Sequence, residues 1–332
     1  MKKKLIILAG IMVIIVIAVF STVHNINRNK EAFNNEEEII NVVASFYPTY
    51  VLTINLTDGI SDIKVDSLTD FSAGCLHDYQ LTTNDMRLLS NADLFIINGG
   101  GMEEYLGDVL DSYPDLTIID LSKDIDMLES EAHHDDEHDH GEENPHVWLD
   151  PELYILQIKN ARKGLVDYIQ EENNKDDSNY AEDAIDLLHS NTKAYLEDVQ
   201  ELAEDMNQVL NTVNDMVQNK NISNKVVVFH DSFAYLSSKA GLEVAYTIEL
   251  DEETPLSAGE VAKVISAVRQ ENIRYLFTEE QYDDTISNRI EDETEAKVYV
   301  IDSAVTGDAD KDSYIEAMRR NIETLKEAFG EE

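Results

Sequence analysis

Eight short apolar runs constrain the fold of this chain most, because they form two groups of four. Runs of this length, nearly continuous in apolar residues and separated by helical patterns, are typical of parallel strands that helices cover on both faces. The sequence therefore predicts an α/β fold of two lobes, each with a roughly four-stranded parallel sheet flanked by helices. The runs cover residues 42–46, 63–68, 92–98 and 117–121, and then 226–230, 243–249, 274–279 and 297–302.

The segment between the two groups predicts one long helix. Residues 180–219 contain neither Gly nor Pro, and their apolar residues recur alternately four and three positions apart. Forty helical residues at about 1.5 Å each would extend about 60 Å, which is more than one lobe needs. We expect a rigid helix that joins both lobes of a monomer, with a coiled-coil dimer as the alternative. The apolar seam comprises Tyr195, Val199, Leu202, Met206, Val209, Val213 and Met216.

The N-terminus predicts export from the cytoplasm. Three lysines, Lys2 to Lys4, precede an uncharged apolar run at residues 5–20, which is the order found in export signals. The run lacks a convincing cleavage site and no cysteine follows it, so we expect an uncleaved membrane anchor at the cell surface. Cleavage, which would leave a periplasmic protein, is the alternative. The expected division is an anchor at 1–23, a polar tether at 24–38, a first lobe at 39–177, the connecting helix at 178–220 and a second lobe at 221–332.

Charge and cysteine content argue against a nucleic-acid-binding protein and against one stabilised by disulfides. The chain has 68 acidic and 25 basic residues, a formal net charge of −43, which repels the phosphates of nucleic acids. Its single cysteine, Cys75, excludes an intramolecular disulfide.

Several catalytic and ligand-binding motifs are missing or incomplete. The sequence has no HExxH and no GxSxG element, and no Lys-Ser/Thr pair follows the run Asn98-Gly99-Gly100-Gly101. Asp308, Asp310 and Asp312 resemble the start of a calcium loop, but Ser313 and Arg319 occupy its sixth and twelfth positions. We therefore expect that the protein is not an enzyme.

Four polar residues fall in equivalent places, where strands of the predicted sheets end. His77 and His146 belong to the first lobe, and His230 and Glu279 to the second. Ligands of open α/β sheets gather beyond the carboxyl ends of the strands. Next to two of the histidines, Asp150-Pro151 and Asp231 are expected to begin helices as N-terminal caps. The sequence therefore predicts one binding site to which both lobes contribute.

Five segments, spread in order over residues 40–330, carry a resemblance to a known family. They are VVASFYPTY, HDYQLTTNDMRLLSNADLFIINGGGMEEYL, NPHVWLDP, VVVFHDSFAYLS and YLFTEEQY. Together with a His-rich acidic loop upstream of HVWLDP, they resemble the zinc-specific substrate-binding proteins of bacterial ABC transporters. The resemblance implies two α/β lobes joined by a long helix, with the metal at their interface.

The resemblance also implies a set of metal ligands. His77, His146 and His230 match the family's histidines, and Glu279 stands where the family has a carboxylate or water, with Glu280 as the neighbouring alternative. The sequence departs from the family pattern at Leu76, where proline is usual, and around Cys75.

Three histidines and one carboxylate suit tetrahedral Zn²⁺, whereas Mn²⁺ prefers more oxygen ligands. The resemblance implies a protein that captures Zn²⁺ outside the membrane and delivers it to the permease subunits of an ABC importer. A carrier of manganese or another divalent metal, a zinc hydrolase and a metal-containing surface adhesin are the alternatives.

The densest histidine cluster lies just before His146, in residues 130–144. The histidines of this segment stand among Asp and Glu without apolar periodicity, so we expect a mobile loop. The loop either collects zinc weakly or is only a solvated run of charge. The cluster consists of His133, His134, His138 and His140.

Overall fold

The computed structural model describes residues 39–74, 76, 79–130, 143–173, 180–219, 222–248, 258–280 and 284–330. Within these residues, a strand lies at each of the eight predicted positions. The predicted anchor at residues 1–23 and the tether at residues 24–38 lie outside them. Among the helices that the structure describes, none combines the length and apolar character that a membrane span requires.

The first sheet contains β1 (Ile40–Ala44), β2 (Ile63–Ser67), β3 (Leu94–Ile97) and β4 (Thr117–Asp120) in the order β2-β1-β3-β4. Parallel pairing aligns Val43 with Phe95 and Phe95 with Ile118. Val43 and Phe95 are buried in one apolar cluster with Leu89. This burial explains why the central runs β1 and β3 show no alternation of polar and apolar residues.

The second sheet repeats this order. It contains β5 (Lys225–Val228), β6 (Glu243–Thr247), β7 (Tyr275–Glu279) and β8 (Lys297–Ile301) in the order β6-β5-β7-β8, and the paired strands are parallel. Val227 and Leu276 are fully buried in a cluster with Val264 and Val268. The predicted α/β class, with a four-stranded parallel sheet in each lobe, is confirmed.

Helices surround both sheets. In chain order the described α-helices are α1 (Tyr47–Leu56), α2 (Thr83–Ser90), α3 (Pro151–Asn173), α4 (Tyr180–Gln218), α5 (Ala234–Lys239), α6 (Ala258–Glu271), α7 (Asp284–Glu293) and α8 (Ser313–Phe329).

The 39-residue helix α4 is the predicted connection between the lobes. It packs against α1 and α3 of the first lobe and against α5 and α8 of the second. Six residues of the predicted seam, from Tyr195 to Val213, are buried, and Met216 is half-buried. The apolar seam of α4 is therefore buried within this chain, because helices of both lobes pack against it.

Aromatic side chains fill the space between the lobes beside α4. The rings of Tyr154 and Tyr314 stack with centroids 3.9 Å apart, and the hydroxyl of Tyr154 lies 3.1 Å from that of Tyr195. Trp148 Nε1 donates to the carbonyl of Ser303 at 2.8 Å, and the hydroxyl of Tyr314 donates to the carbonyl of Trp148 at 2.7 Å. Residues 41–332 accordingly form one compact unit.

Candidate metal centre

The loop that carries His146 is buried and tightly bonded. His146 is 2% exposed, and Oδ1 of Asn144 accepts a hydrogen bond from its backbone nitrogen at 3.0 Å and lies 2.9 Å from its Nδ1. Helix α3 then begins at Pro151, and Asp150 Oδ1 accepts from the backbone nitrogen of Glu152 at 2.9 Å. The predicted cap at Asp150 is confirmed. It holds the loop because it satisfies an N–H group of the first helical turn.

The glycine run after β3 supports this loop. Asn98 Nδ2 donates to the carbonyl of Pro145 at 2.9 Å, and Gln157 Nε2 donates to Asn98 Oδ1 at 2.8 Å. Gly99 has a φ of +80°, and a Cβ there would lie 2.1 Å from Oδ1 of Asp120. The run therefore needs glycine for close approach of the chain to the end of β4.

The buried side chain of Glu103 forms hydrogen bonds with the backbone of the same turn. Glu103 Oε1 accepts from the backbone nitrogen of Asn98 at 2.8 Å and from the hydroxyl of Ser45 at 2.7 Å, and Oε2 accepts from the backbone nitrogen of Gly99 at 3.0 Å. Burial raises the pKa of Glu103 to about 7, and Asp120 adds to this rise, although the three hydrogen bonds act against it. Sequence reasoning missed Glu103; its adjacency to the glycine run was the only local signal.

The second lobe contributes His230 and Glu279. Strand β5 ends at Val228, so His230 lies two residues beyond it, whereas Glu279 is the last residue of β7. Nδ1 of His230 lies 3.0 Å from Oε1 of Glu279, and the hydroxyl of Ser232 donates to the same oxygen at 2.5 Å. Glu279 is 1% exposed, whereas Glu280 is exposed. The neighbouring acids therefore face opposite environments, as strand alternation requires.

These side chains of the two lobes meet at one place. The rings of His146 and His230 lie edge to face with centroids 4.8 Å apart, and the ring of Trp148 lies 5.3 Å from that of His146. The structure thus brings His146, His230 and Glu279 together from loops that are far apart in sequence.

The other predicted metal-site residues lie outside the described residues. These are His77 and the histidines of the His-rich loop, His133, His134, His138 and His140. On either side of that loop, Glu129 and Glu143 form an isolated antiparallel bridge, and the backbone nitrogen of Asn144 donates to the carbonyl of Leu128 at 2.7 Å.

The predicted helix cap at Asp231 is wrong. Asp231 begins a short 3₁₀ turn, Asp231–Phe233, before α5, and neither that turn nor α5 has a side-chain cap. The carboxylate is engaged elsewhere, because its Oδ2 accepts from Ser130 Oγ and from Asn144 Nδ2, each at 2.9 Å. Asp231 therefore bonds to residues distant in sequence instead of capping the helix that follows it.

The donor atoms of the second lobe stand slightly closer together than two ligands of one metal ion. Two ligand atoms about 2.1 Å from a tetrahedral zinc ion are roughly 3.4 Å apart. The 3.0 Å between His230 Nδ1 and Glu279 Oε1 is shorter than that separation and is the length of an ordinary hydrogen bond. Within the described ranges, which omit His77, no group of three or more His, Cys, Asp or Glu side chains is arranged to hold an ion. An ion there would require a small displacement of Glu279 from His230.

Comparisons with known proteins identify the relatives of this chain. The family model described as ZnuA, zinc-uptake complex component A periplasmic, matches residues 42–328. The high-affinity zinc uptake system protein ZnuA of Bacillus subtilis is 26% identical and covers 90% of this chain and 91% of its own length. The manganese-binding lipoprotein MntA of Halalkalibacterium halodurans is also 26% identical, over 75% of this chain and 76% of its own length.

A solved structure shares the fold. The Zn(II)-bound AdcA of Streptococcus pneumoniae superposes with a TM-score of 0.70 at 23% identity and covers 89% of this chain. This chain spans 58% of that structure's length. Because the family model covers most of the chain, including both lobes and the loops of His146, His230 and Glu279, the protein belongs to the ZnuA family of periplasmic zinc-uptake components.

Proposed function

We propose that this protein captures Zn²⁺ outside the cytoplasmic membrane and delivers it to the permease subunits of an ABC importer. The observation that carries the proposal is the convergence of His146, His230 and Glu279 from two lobes at one edge-to-face histidine pair. Membership of the zinc-uptake family supports the same function. Capture and release require a site that binds reversibly, and they require no chemical conversion of a substrate.

The proposed ligands are His77, His146, His230 and Glu279. In this proposal the ion replaces the 3.0 Å hydrogen bond between His230 Nδ1 and Glu279 Oε1, and Glu279 moves slightly away from His230. Imidazole nitrogens and one carboxylate make a donor set that suits zinc in a four-coordinate site. The relative named for manganese keeps a manganese carrier as the second candidate.

The cellular placement belongs to the same proposal. We place residues 1–23 in the membrane as an anchor and residues 24–38 as a tether, so that the lobes at 39–177 and 221–332 stay near the permease. The relatives MntA and AdcA are named as lipoproteins, which is a different means of attachment to the membrane. We expect a monomer, with its lobes joined by residues 178–220.

Metal titration of single variants tests the proposed ligands. His146→Ala and His230→Ala should each weaken the high-affinity zinc site by well over tenfold, at about 1.4 kcal/mol per decade. Deleting residues 133–140 is the matched control, because it removes four other histidines and should leave that site nearly intact. Loss of affinity in the deletion but not in the two variants would assign the site to the His-rich loop instead.

Glu279→Gln tests whether the carboxylate is a ligand. Glutamine still offers an oxygen to His230 Nδ1, so a role limited to orienting the ring would survive the substitution. A ligand role predicts a loss of at least about tenfold in zinc affinity, because the amide is a weaker ligand than the carboxylate. Competition between zinc and manganese, followed by thermal shift, then identifies the preferred metal.

A further inference from the structure

Asn144 lies between the two histidine-bearing loops and is fully buried. All its polar groups have partners within the protein. Its backbone nitrogen donates to the carbonyl of Leu128 at 2.7 Å, and its carbonyl accepts from the hydroxyl of Tyr235 at 2.6 Å. Its side chain is shared between His146 on one side and Asp231 on the other.

The partners of Asn144 determine which way its amide points. Nδ2 donates to both the backbone carbonyl and Oδ2 of Asp231, each at 2.9 Å. The backbone carbonyl oxygen can only accept, so the nitrogen of the amide must be on this side. Oδ1 therefore faces His146, where it accepts from the backbone nitrogen and from the ring.

This orientation selects one tautomer of His146. Because Oδ1 of Asn144 can only accept, Nδ1 of the neutral ring must carry the hydrogen, and Nε2 carries the lone pair. A metal binds imidazole through the nitrogen that bears the lone pair, and the other N–H of a metal-binding histidine is commonly held by a hydrogen bond of this kind.

The same amide also ties the loops together. Asp231 directly follows His230, so the two bonds from Asn144 Nδ2 attach the His146 loop of the first lobe to the His230 loop of the second. Ser130 Oγ donates to Asp231 Oδ2 as well, at 2.9 Å. With these bonds in place the two imidazole rings stand 4.8 Å apart.

We propose that Asn144 is a positioning residue of the metal site, which sets the tautomer of His146 and holds the His146 and His230 loops at their binding distance. This rests on the proposed function, since it assigns Asn144 a role in metal capture. Its structural part, the tautomer, can be tested without any metal.

Nitrogen-15 NMR of the metal-free protein, at a pH where imidazole is neutral, tests the tautomer. In the wild type, Nδ1 of His146 should have the shift of a protonated ring nitrogen and Nε2 that of an unprotonated one. Asn144→Ala should move the population toward the Nε2–H form, which a neutral imidazole favours in water. Asp231→Ala leaves Asn144 Oδ1 as the acceptor for Nδ1 and should retain the wild-type tautomer. An Nε2–H tautomer in the wild type, or an unchanged tautomer in Asn144→Ala, would overturn the proposal.

Zinc titration tests the tie between the loops. Asn144→Ala should weaken zinc binding by about 10–100-fold, as loss of the hydrogen-bond partner of a metal ligand typically does. Asp231→Ala removes an acceptor of Asn144 Nδ2 and should weaken binding by about tenfold, with the His146 tautomer unchanged. Asp231→Asn can still accept through its amide oxygen and should bind within about threefold of the wild type.

Asn191→Ala is the matched control for loss of a structural asparagine. Asn191 Nδ2 donates to the carbonyls of Leu56 and Asp58, at the end of α1 that lies away from the carboxyl edge of the sheet. This variant should bind zinc as the wild type does. Equal losses in Asn144→Ala and Asn191→Ala would contradict a positioning role. A wild type that binds no zinc would refute the proposed function, whereas the NMR result would still decide the tautomer.

Discussion

Replacing Glu103 with glutamine should remove a pH dependence of stability. Glu103 is buried beneath the glycine run, and burial raises its pKa from 4.5 to about 7. The folded protein therefore holds the proton over a pH range in which the unfolded chain has lost it. Stability from this group is fully present below pH 4.5 and is lost as the pH rises through about 7, because the carboxylate must then ionise inside the protein.

The size of the effect follows from the shift. Each pKa unit corresponds to about 1.4 kcal/mol, so the shift of Glu103 amounts to roughly 3 kcal/mol when complete. About 2.5 kcal/mol of this falls between pH 5 and pH 8, since the unfolded chain is already partly ionised at pH 5. Glu103→Gln cannot ionise, and its own packing cost does not vary with pH.

Urea unfolding of the metal-free protein measures this difference. Trp148 is the only tryptophan and is fully buried between the lobes, so its fluorescence reports loss of the tertiary structure. From pH 5 to pH 8 the free energy of unfolding of the wild type should fall by about 2.5 kcal/mol relative to Glu103→Gln. Glu104→Gln, at the exposed neighbouring position, controls for the removal of one negative charge.

Parallel pH profiles for the wild type and Glu103→Gln would refute this reasoning. They would mean that the three hydrogen bonds to Glu103 compensate fully for its burial. A wild type that gains stability with rising pH, relative to the variant, would show that the bonded carboxylate is preferred over the neutral acid.

Three further results are expected of the same protein. Tyr314→Phe removes the hydrogen bond to the Trp148 carbonyl and should cost about 1–3 kcal/mol of unfolding free energy in urea; no loss would mean that water replaces the hydroxyl. Lys239→Ala removes the partner of Asp150, which is 4% exposed, and should also cost about 1–3 kcal/mol, with an unchanged midpoint as the contrary result. Raising NaCl should increase the urea midpoint, because salt screens the repulsion within a protein of net charge −43. The Debye length falls from about 10 Å at 0.1 M salt to about 3 Å at 1 M. A lower midpoint in high salt would contradict charge repulsion as the dominant effect.

The secondary structure could be predicted because the signals for it are local. Apolar runs and breaks in periodicity identified each strand, and the seam from Tyr195 to Met216 identified α4. Strand ends were less certain: His230 lies two residues beyond β5, although its apolar run continues to that histidine. Where a strand ends depends on the hydrogen bonds of its neighbours, which are formed between distant segments.

Side-chain partners were harder to predict than elements. Asp150 caps α3 as expected, whereas Asp231 leaves α5 uncapped and bonds to Ser130 and Asn144 instead. The outcome differs because a carboxylate can bond either to its own helix or to another segment, and packing decides which donor is within reach.

Sequence alone was therefore sufficient for the two parallel sheets, the helix between them and the position of Glu279 at the carboxyl end of a strand. These features follow from hydrophobic periodicity and from the common edge that parallel strands share. Only the tertiary structure decided that Asn144 serves both histidine loops and that Glu103 is buried under the glycines. The bond from Asn144 to Asp231 joins residues 87 positions apart, and it depends on packing that no local pattern encodes.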